Sequence, residues 1–177
     1  MVRRTRGVLV GIALAIAGCD GSDGGSGGVP TSVPGNKRIA DLTPAERDKL
    51  CADVTAWAMS GPPLTGTCNA GALLSTTLLG SLDPAATDAS LQTMCATLRD
   101  QCVAGGLTTD CSQLPSTCTA TVSEYNMCLS DQIAVLGSLP PCSSVTRASL
   151  PSILTTLSQP RSAACMSVEN QCPGATT

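Results

Sequence analysis

Ten cysteines between residues 41 and 172 constrain the fold of this chain more than any other feature of its sequence. Their number is even, so all ten can pair. None of them are spaced as C-x-x-C, the spacing typical of zinc ribbons and of thioredoxin-like redox centres. In an oxidising compartment we therefore expect disulfides rather than metal thiolates. The ten residues are Cys51, Cys68, Cys95, Cys102, Cys111, Cys118, Cys128, Cys142, Cys165 and Cys172.

The scarcity of aromatic residues makes these disulfides important for stability. The 177 residues include one Trp, one Tyr and no Phe, whereas aromatic side chains bury roughly 150–250 Å² each in an ordinary core. Five bridges at about 2–4 kcal/mol each are comparable to the whole net stability of a domain, about 5–15 kcal/mol. We therefore expect the domain to unfold when it is reduced.

The first 18 residues have the pattern of a bacterial signal peptide. Arg3, Arg4 and Arg6 precede an apolar run over residues 7–17, which is too short to span a bilayer because a spanning helix needs about 20 residues. The segment Ile16-Ala17-Gly18-Cys19 resembles the lipobox of bacterial lipoproteins. This resemblance implies that Cys19 becomes the first mature residue and carries fatty-acyl chains such as palmitate. The alternative is an ordinary secretory signal that leaves Cys19 without lipid.

Residues 19–40 predict a flexible tether after the lipidated cysteine. Residues 20–40 contain six Gly, two Pro and three Ser, and such a composition buries too little apolar surface to offset the entropy cost of ordering the chain. We expect a disulfide-rich domain over residues 41–172 and a flexible C-terminus over residues 173–177. The spacing Cys95-x6-Cys102 recurs as Cys165-x6-Cys172, which admits a duplication of two related halves, about 41–105 and 110–172.

Helical patterns predict an all-α fold of about four to six short helices. Thr43, Pro44 and Glu46 form a capping box that starts the clearest helix, and Gly61-Pro62-Pro63 is expected to end it. β-hairpin signals are nearly absent. Further helices are predicted over residues 87–104 and 121–136, with weaker patterns over residues 70–82, 144–157 and 160–171.

The cysteine pairing stays open at the level of the sequence. In the helix over residues 87–104, Cys95 and Cys102 share a face with Leu91 and Leu98, so we expect two bridges to hold this helix along its buried side. The spacing around residues 95–118 favours, weakly, a nested hairpin with the pairs Cys95–Cys118 and Cys102–Cys111.

Composition also excludes several functions. The chain has no His, so a His-dependent nucleophile and a His zinc site are both impossible. Its net charge changes from −3 to −6 when the three arginines of the leader are removed, and it has neither a basic face nor stacking aromatics, so we expect no nucleic-acid partner.

We expect no enzyme activity, no cofactor and no metal. The least favoured alternative is a hydrolase that uses a carboxylate pair; the acidic pairs are Asp48/Asp53, Asp83/Asp88 and Asp100/Asp110, which we interpret as helix flanks or caps.

The two aromatic residues are interpreted as core residues rather than as a binding site. Trp57 follows Leu50 and Val54 at helical spacing, and Tyr125 lies in the apolar stripe of the helix over residues 121–136.

The order of a lipobox cysteine, a Gly/Ser spacer and a ten-cysteine domain resembles the small cysteine-rich predicted lipoproteins of myxobacteria and related bacteria. The segment CTATVSEYNMC, from Cys118 to Cys128, is similar to a recurrent stretch in them. That family has no assigned activity, so the resemblance implies context and no mechanism.

We therefore expect a non-catalytic cell-envelope lipoprotein that is anchored to the inner or the outer bacterial membrane through Cys19. Its helical module would bind an envelope or surface protein or have a structural role. The alternative is a secreted disulfide-rich binding or inhibitor domain that uses residues 61–68 or 105–111 as a rigid loop.

Overall fold

The structure, a computed structural model, describes residues 28–107, 117–159 and 161–172. These residues form six α-helices, and the only β-type pairing among them is a single bridge between Arg38 and Thr121. The predicted all-α, disulfide-stapled fold is confirmed. The helices are α1 (Pro44–Ala58), α2 (Gly61–Leu82), α3 (Asp88–Gly105), α4 (Val122–Gly137), α5 (Leu150–Leu157) and α6 (Ala163–Gln171).

Threonine capping boxes fix the starts of α1, α3 and α4. In each box the threonine Oγ1 accepts a hydrogen bond from the backbone N–H three residues later, and that residue's side chain accepts one from the threonine N–H. Both interactions satisfy donors that a helix start otherwise leaves unpaired. The three capping residues are Thr43, Thr87 and Thr121, and the C-cap of α3 is Gly106, whose φ is 70°.

The prediction for residues 61–82 is partly wrong. Gly61-Pro62-Pro63 does follow the end of α1, but it also begins α2, which has 22 residues and extends well beyond the short helix predicted over residues 70–82. Proline is tolerated in a first helical turn because the N–H groups there have no intrahelical partner. Gly61 has a φ of 37°, which favours glycine, and it lies directly after the short connection between the two helices. Residues 61–68 are therefore helical and do not form a rigid loop.

Two separate groups of buried side chains hold these helices together. We call them the first and the second cluster. The buried members of the first cluster are Val29, Val33, Ile39, Leu42, Leu50, Val54, Cys118, Ala120, Val122, Tyr125, Cys128, Leu129, Cys165, Val168 and Cys172. Those of the second cluster are Ala70, Ala72, Leu73, Leu91, Cys95, Leu139, Cys142, Val145, Leu150 and Ile153.

The chain alternates between the clusters. The first cluster draws on residues 29–57, 118–129 and 164–172, and the second draws on residues 70–98 and 136–157. The α4 helix belongs to both, since Tyr125 is buried in the first cluster while Leu136 packs against the second. Each cluster thus takes residues from both of the halves proposed above, and the duplication stays a prediction.

Residues 28–40 belong to the folded unit, although the sequence predicts a flexible tether up to residue 40. Val29, Val33 and Ile39 are at most 3% exposed. The Ile39 N–H donates to the Ala120 carbonyl at 3.0 Å, and the Val122 N–H donates to the Lys37 carbonyl at 3.0 Å. These few apolar side chains and the backbone pairing supply the burial that composition alone does not suggest. The ordered unit begins by residue 28 rather than at residue 41.

Candidate functional site

Four disulfides join the helices of the described residues in pairs. Cys118–Cys172 and Cys128–Cys165 lie in the first cluster, and they attach α6 to the segment before α4 and to α4 itself. Cys95–Cys142 lies in the second cluster, and Cys68–Cys102 joins α2 to α3. The Cα–Cα distances of 4.0–5.5 Å are near the usual range for bridged cysteines. The prediction that two bridges hold α3 along its length is confirmed.

The nested hairpin favoured by cysteine spacing is wrong. Cys95 pairs with Cys142 and Cys102 with Cys68, while Cys118 pairs with Cys172. The partners are chosen by the packing of α3 against α2 and against the segment after α4, which spacing along the chain does not reveal. Cys51 is also disulfide-bonded.

Two of the predicted site residues, Cys19 and Cys111, lie outside the described residues, and so do Asp110 and part of the proposed loop over residues 105–111. Within the described ranges, no group of His, Cys, Asp or Glu side chains is arranged to hold a metal ion. None of the helices in that part of the chain combines the length and apolar character that crossing a membrane requires.

Four of the acidic residues singled out as carboxylate pairs, Asp53, Asp83, Asp88 and Asp100, are engaged in separate interactions. Asp53 Oδ2 accepts hydrogen bonds from the Ser32 N–H and Oγ at 3.0 and 2.7 Å. Asp83 Oδ1 accepts from the Ala85 N–H, and Asp88 Oδ1 accepts from the Arg147 N–H. Asp100 pairs with its neighbour Arg99 at 2.7 Å. These contacts stabilise turns, helix ends and the attachment of the N-terminal segment.

Two glutamates have shifted pKa values, and both are helix-capping residues. Lys37 Nζ contacts both carboxylate oxygens of Glu46 at 2.6 Å, and this contact, helped by hydrogen bonds from Thr43, lowers the pKa of Glu46 to about 2. Hydrogen bonds from the Thr121 N–H and hydroxyl lower the pKa of Glu124. A general acid needs a raised carboxyl pKa, so both glutamates fit a structural role.

Both aromatic residues lie where the sequence predicts, at the core. Tyr125 is 6% exposed within the first cluster, and Trp57 is partly buried against the same cluster.

The candidate binding site is a groove of about 240 Å³ where the C-terminal half of α4 meets the end of α5 and the segment that follows it. We call it the seam groove, because the chain returns there from the second cluster to the first. It is lined by four apolar residues, which we call its floor (Val135, Leu136, Leu139 and Leu157), and by six polar residues, which we call its rim (Asp131, Gln132, Thr156, Gln159, Arg161 and Ser162). An apolar floor with a few polar groups at the rim is the usual make-up of a ligand pocket.

The rim carries charges of both signs. Arg161 pairs with Glu169 of α6, which holds the guanidinium near the mouth, and Asp131 lies on α4. The sequence does not predict this site because residues 131–139 and 156–162 become neighbours only through tertiary packing, in which α4 and α5 both lie against α2. The one signal available was the continuation of the apolar stripe of α4 to Leu136.

The comparisons of this chain with known proteins suggest no activity for the seam groove. Comparisons with protein-family models, with curated protein sequences and with solved structures each found no match.

Proposed function

We propose that the protein is a non-catalytic lipoprotein of the bacterial cell envelope, anchored through Cys19, whose helical module binds a partner. The observation that carries the proposal is the combination of a lipobox-like leader directly before Cys19 with a domain in whose described part four disulfides join the helices. Structural disulfides form and persist mainly in oxidising compartments, which is where a lipobox directs a chain. A disulfide-rich helical module is a stable support for a binding surface or a structural role.

The short distance between Cys19 and the ordered unit also favours a module held close to the membrane. At about 3.3–3.6 Å per residue, the residues between Cys19 and Gly28 span at most roughly 30 Å. Two or three acyl chains on Cys19 would anchor the chain firmly, where a single chain gives only marginal binding.

Metabolic labelling with palmitate tests the anchor. The full chain in a bacterial host should incorporate the label, and its N-terminal peptide should have the mass of acylated Cys19. We expect Cys19→Ala to abolish labelling and to lower the amount of protein in the membrane fraction, because the acyl anchor is lost. The control Ser26→Ala, which changes a residue close to Cys19 in the sequence, should be labelled normally. Unlabelled wild-type protein in the medium would favour the secreted binding domain instead.

The seam groove is the surface that best supports a binding role. An apolar fluorescent probe, 8-anilinonaphthalene-1-sulfonate, should bind the oxidised protein saturably. Val135→Asp places a charge in the groove at a side chain that is 44% exposed, so the fold should tolerate it while probe fluorescence falls severalfold. The control Met127→Asp changes a 57% exposed residue of α4 outside the groove. Equal fluorescence in all three proteins would contradict a binding role for the groove.

A further inference from the structure

The end of α2 exposes leucines that the two clusters do not use. Leu78, Leu79 and Leu82 are 53%, 51% and 81% exposed, and we call them the leucine patch. They lie within two turns of each other on a helix that has no charged residue over its 22 positions. Residues three and four apart share a helix face, so the three side chains form one continuous apolar surface.

Charges of both signs lie beside this patch. Arg147 Nη1 donates to the carbonyl oxygens of Asp83 and Ala86 at 2.9 and 3.2 Å, which places its guanidinium at the end of α2. Asp83 directly follows Leu82, and its Oδ1 accepts from the Ala85 N–H at 2.9 Å. Neither Arg147 nor Asp83 forms a side-chain ion pair within the described part of the chain.

We propose that the leucine patch is the centre of a symmetric contact between two copies of this chain. In a two-fold contact the same surface meets itself, so a rim of one sign would repel its own copy. Here the rim carries both signs, and Arg147 of each copy pairs with Asp83 of the other. A bilayer is the weaker candidate, because a carboxylate next to the leucines is not attracted to an anionic lipid surface.

The exposed area fits the centre of such a contact. The exposed fractions of Leu78, Leu79 and Leu82 (53%, 51% and 81%) together amount to almost two fully exposed leucines. A standard interface buries about 800 Å² per partner, with an apolar centre and a polar rim. The leucine patch supplies this centre, and the contact should be weak in dilute solution and favoured where the chains are concentrated, as on a membrane.

Photo-crosslinking of the full chain in the bacterial envelope tests the proposal. Two copies with different epitope tags are co-expressed, each with p-benzoylphenylalanine in place of Leu82. We expect irradiation to give a product of twice the mass that carries both tags. The same amino acid at Met127, which is 57% exposed on α4, serves as the control and should give no such product.

Two sets of variants test the chemistry of the contact, with the crosslinker kept at Leu82. Leu78→Asp should lower the crosslinked fraction about tenfold, since it places a charge at the apolar centre. Arg147→Glu in both copies should also lower it, and Arg147→Glu in one copy combined with Asp83→Lys in the other should restore it. The restoration does not depend on the stability of either single variant, because a folding defect would not be rescued by the second copy.

The proposal is overturned if Leu82 crosslinks only to lipid or only to a different protein, or if the charge exchange restores nothing. The proposed contact between two copies is formed by side chains of the folded domain and not by the acyl chains on Cys19. Absence of palmitate labelling would therefore refute the proposed anchor and leave this contact standing.

Discussion

Two glycines of α2 have opposite roles. A Cβ at Gly80 would lie 2.6 Å from Leu91 Cδ2 and 3.3 Å from Leu150 Cδ1, because α3 and α5 both approach α2 at this point. A Cβ at Gly71 would meet nothing within 4 Å. Glycine is thus needed at position 80 for close packing, whereas at position 71 it only lowers helix propensity.

We expect Gly71→Ala to stabilise the protein by about 0.5–1 kcal/mol, the usual helix-propensity gain. Gly80→Ala should destabilise it by about 1–3 kcal/mol, since Leu91 is fully buried and has little room to move. Urea unfolding of both oxidised variants measures the difference. Equal effects of the two substitutions would contradict the close approach at Gly80.

Buried threonine hydroxyls in α2 reduce stability. Thr76 is 0% exposed, and its Oγ1 has no hydrogen-bond partner among the described residues. Replacement by Val keeps the shape and removes a buried polar group, so Thr76→Val should increase the free energy of unfolding by about 1 kcal/mol. The control Thr93→Val alters an exposed hydroxyl that donates to the Ala89 carbonyl, and it should change stability by less than about 0.5 kcal/mol. Loss of stability in Thr76→Val would show that this hydroxyl has a partner.

At the scale of the element, the start of α1 makes stability depend on pH. The pKa of Glu46 is lowered from 4.5 to about 2 by Lys37 and Thr43. A lowered pKa means that this contribution is present above about pH 4.5 and is lost as the pH falls towards 2. We expect Glu46→Gln to flatten the decrease in stability between these values, as measured by thermal unfolding.

The control for this prediction is Lys49→Met, which removes an exposed lysine of the same helix and should leave the acid dependence as it is in the wild type. Lys37→Met should act like Glu46→Gln, because the lysine is the largest cause of the shift. An unchanged acid dependence in Lys37→Met would refute this account.

At the scale of the element, features set by neighbouring residues are predicted from the sequence, whereas features set by contacts between distant segments are not. The capping box at Thr43 and the helices predicted over residues 87–104 and 121–136 depend on nearby residues, and the structure has helices at these places. The packing of residues 28–40, the disulfide partners and the seam groove depend on contacts between distant segments. The prediction from the Gly-Pro-Pro segment was partly wrong for a different reason. The same residues are suited both to follow the end of one helix and to begin another.

At the scale of the whole molecule, each cluster depends on its own bridges. Cys95–Cys142 lies in the second cluster and Cys128–Cys165 in the first. Replacing both cysteines of either pair by Ala should lower the free energy of unfolding by about 2–5 kcal/mol. The hydrogen exchange of backbone amides should locate each effect.

Without Cys95–Cys142, we expect amides of α3 and α5 to exchange faster while those of α6 change less. Without Cys128–Cys165 the order should be reversed, so each variant is the control for the other. Uniform acceleration in both would mean that the two clusters open as one cooperative unit.

The order of the cysteines also has a consequence for how the molecule is made. None of the four bridges between described cysteines joins cysteines that are consecutive in the sequence, and Cys68–Cys102 and Cys95–Cys142 cross each other along the chain. An oxidase that acts on thiols as they emerge from the translocon would join neighbours first and produce wrong pairs. Maturation should therefore require a thiol–disulfide isomerase, and cells that lack one should accumulate scrambled protein.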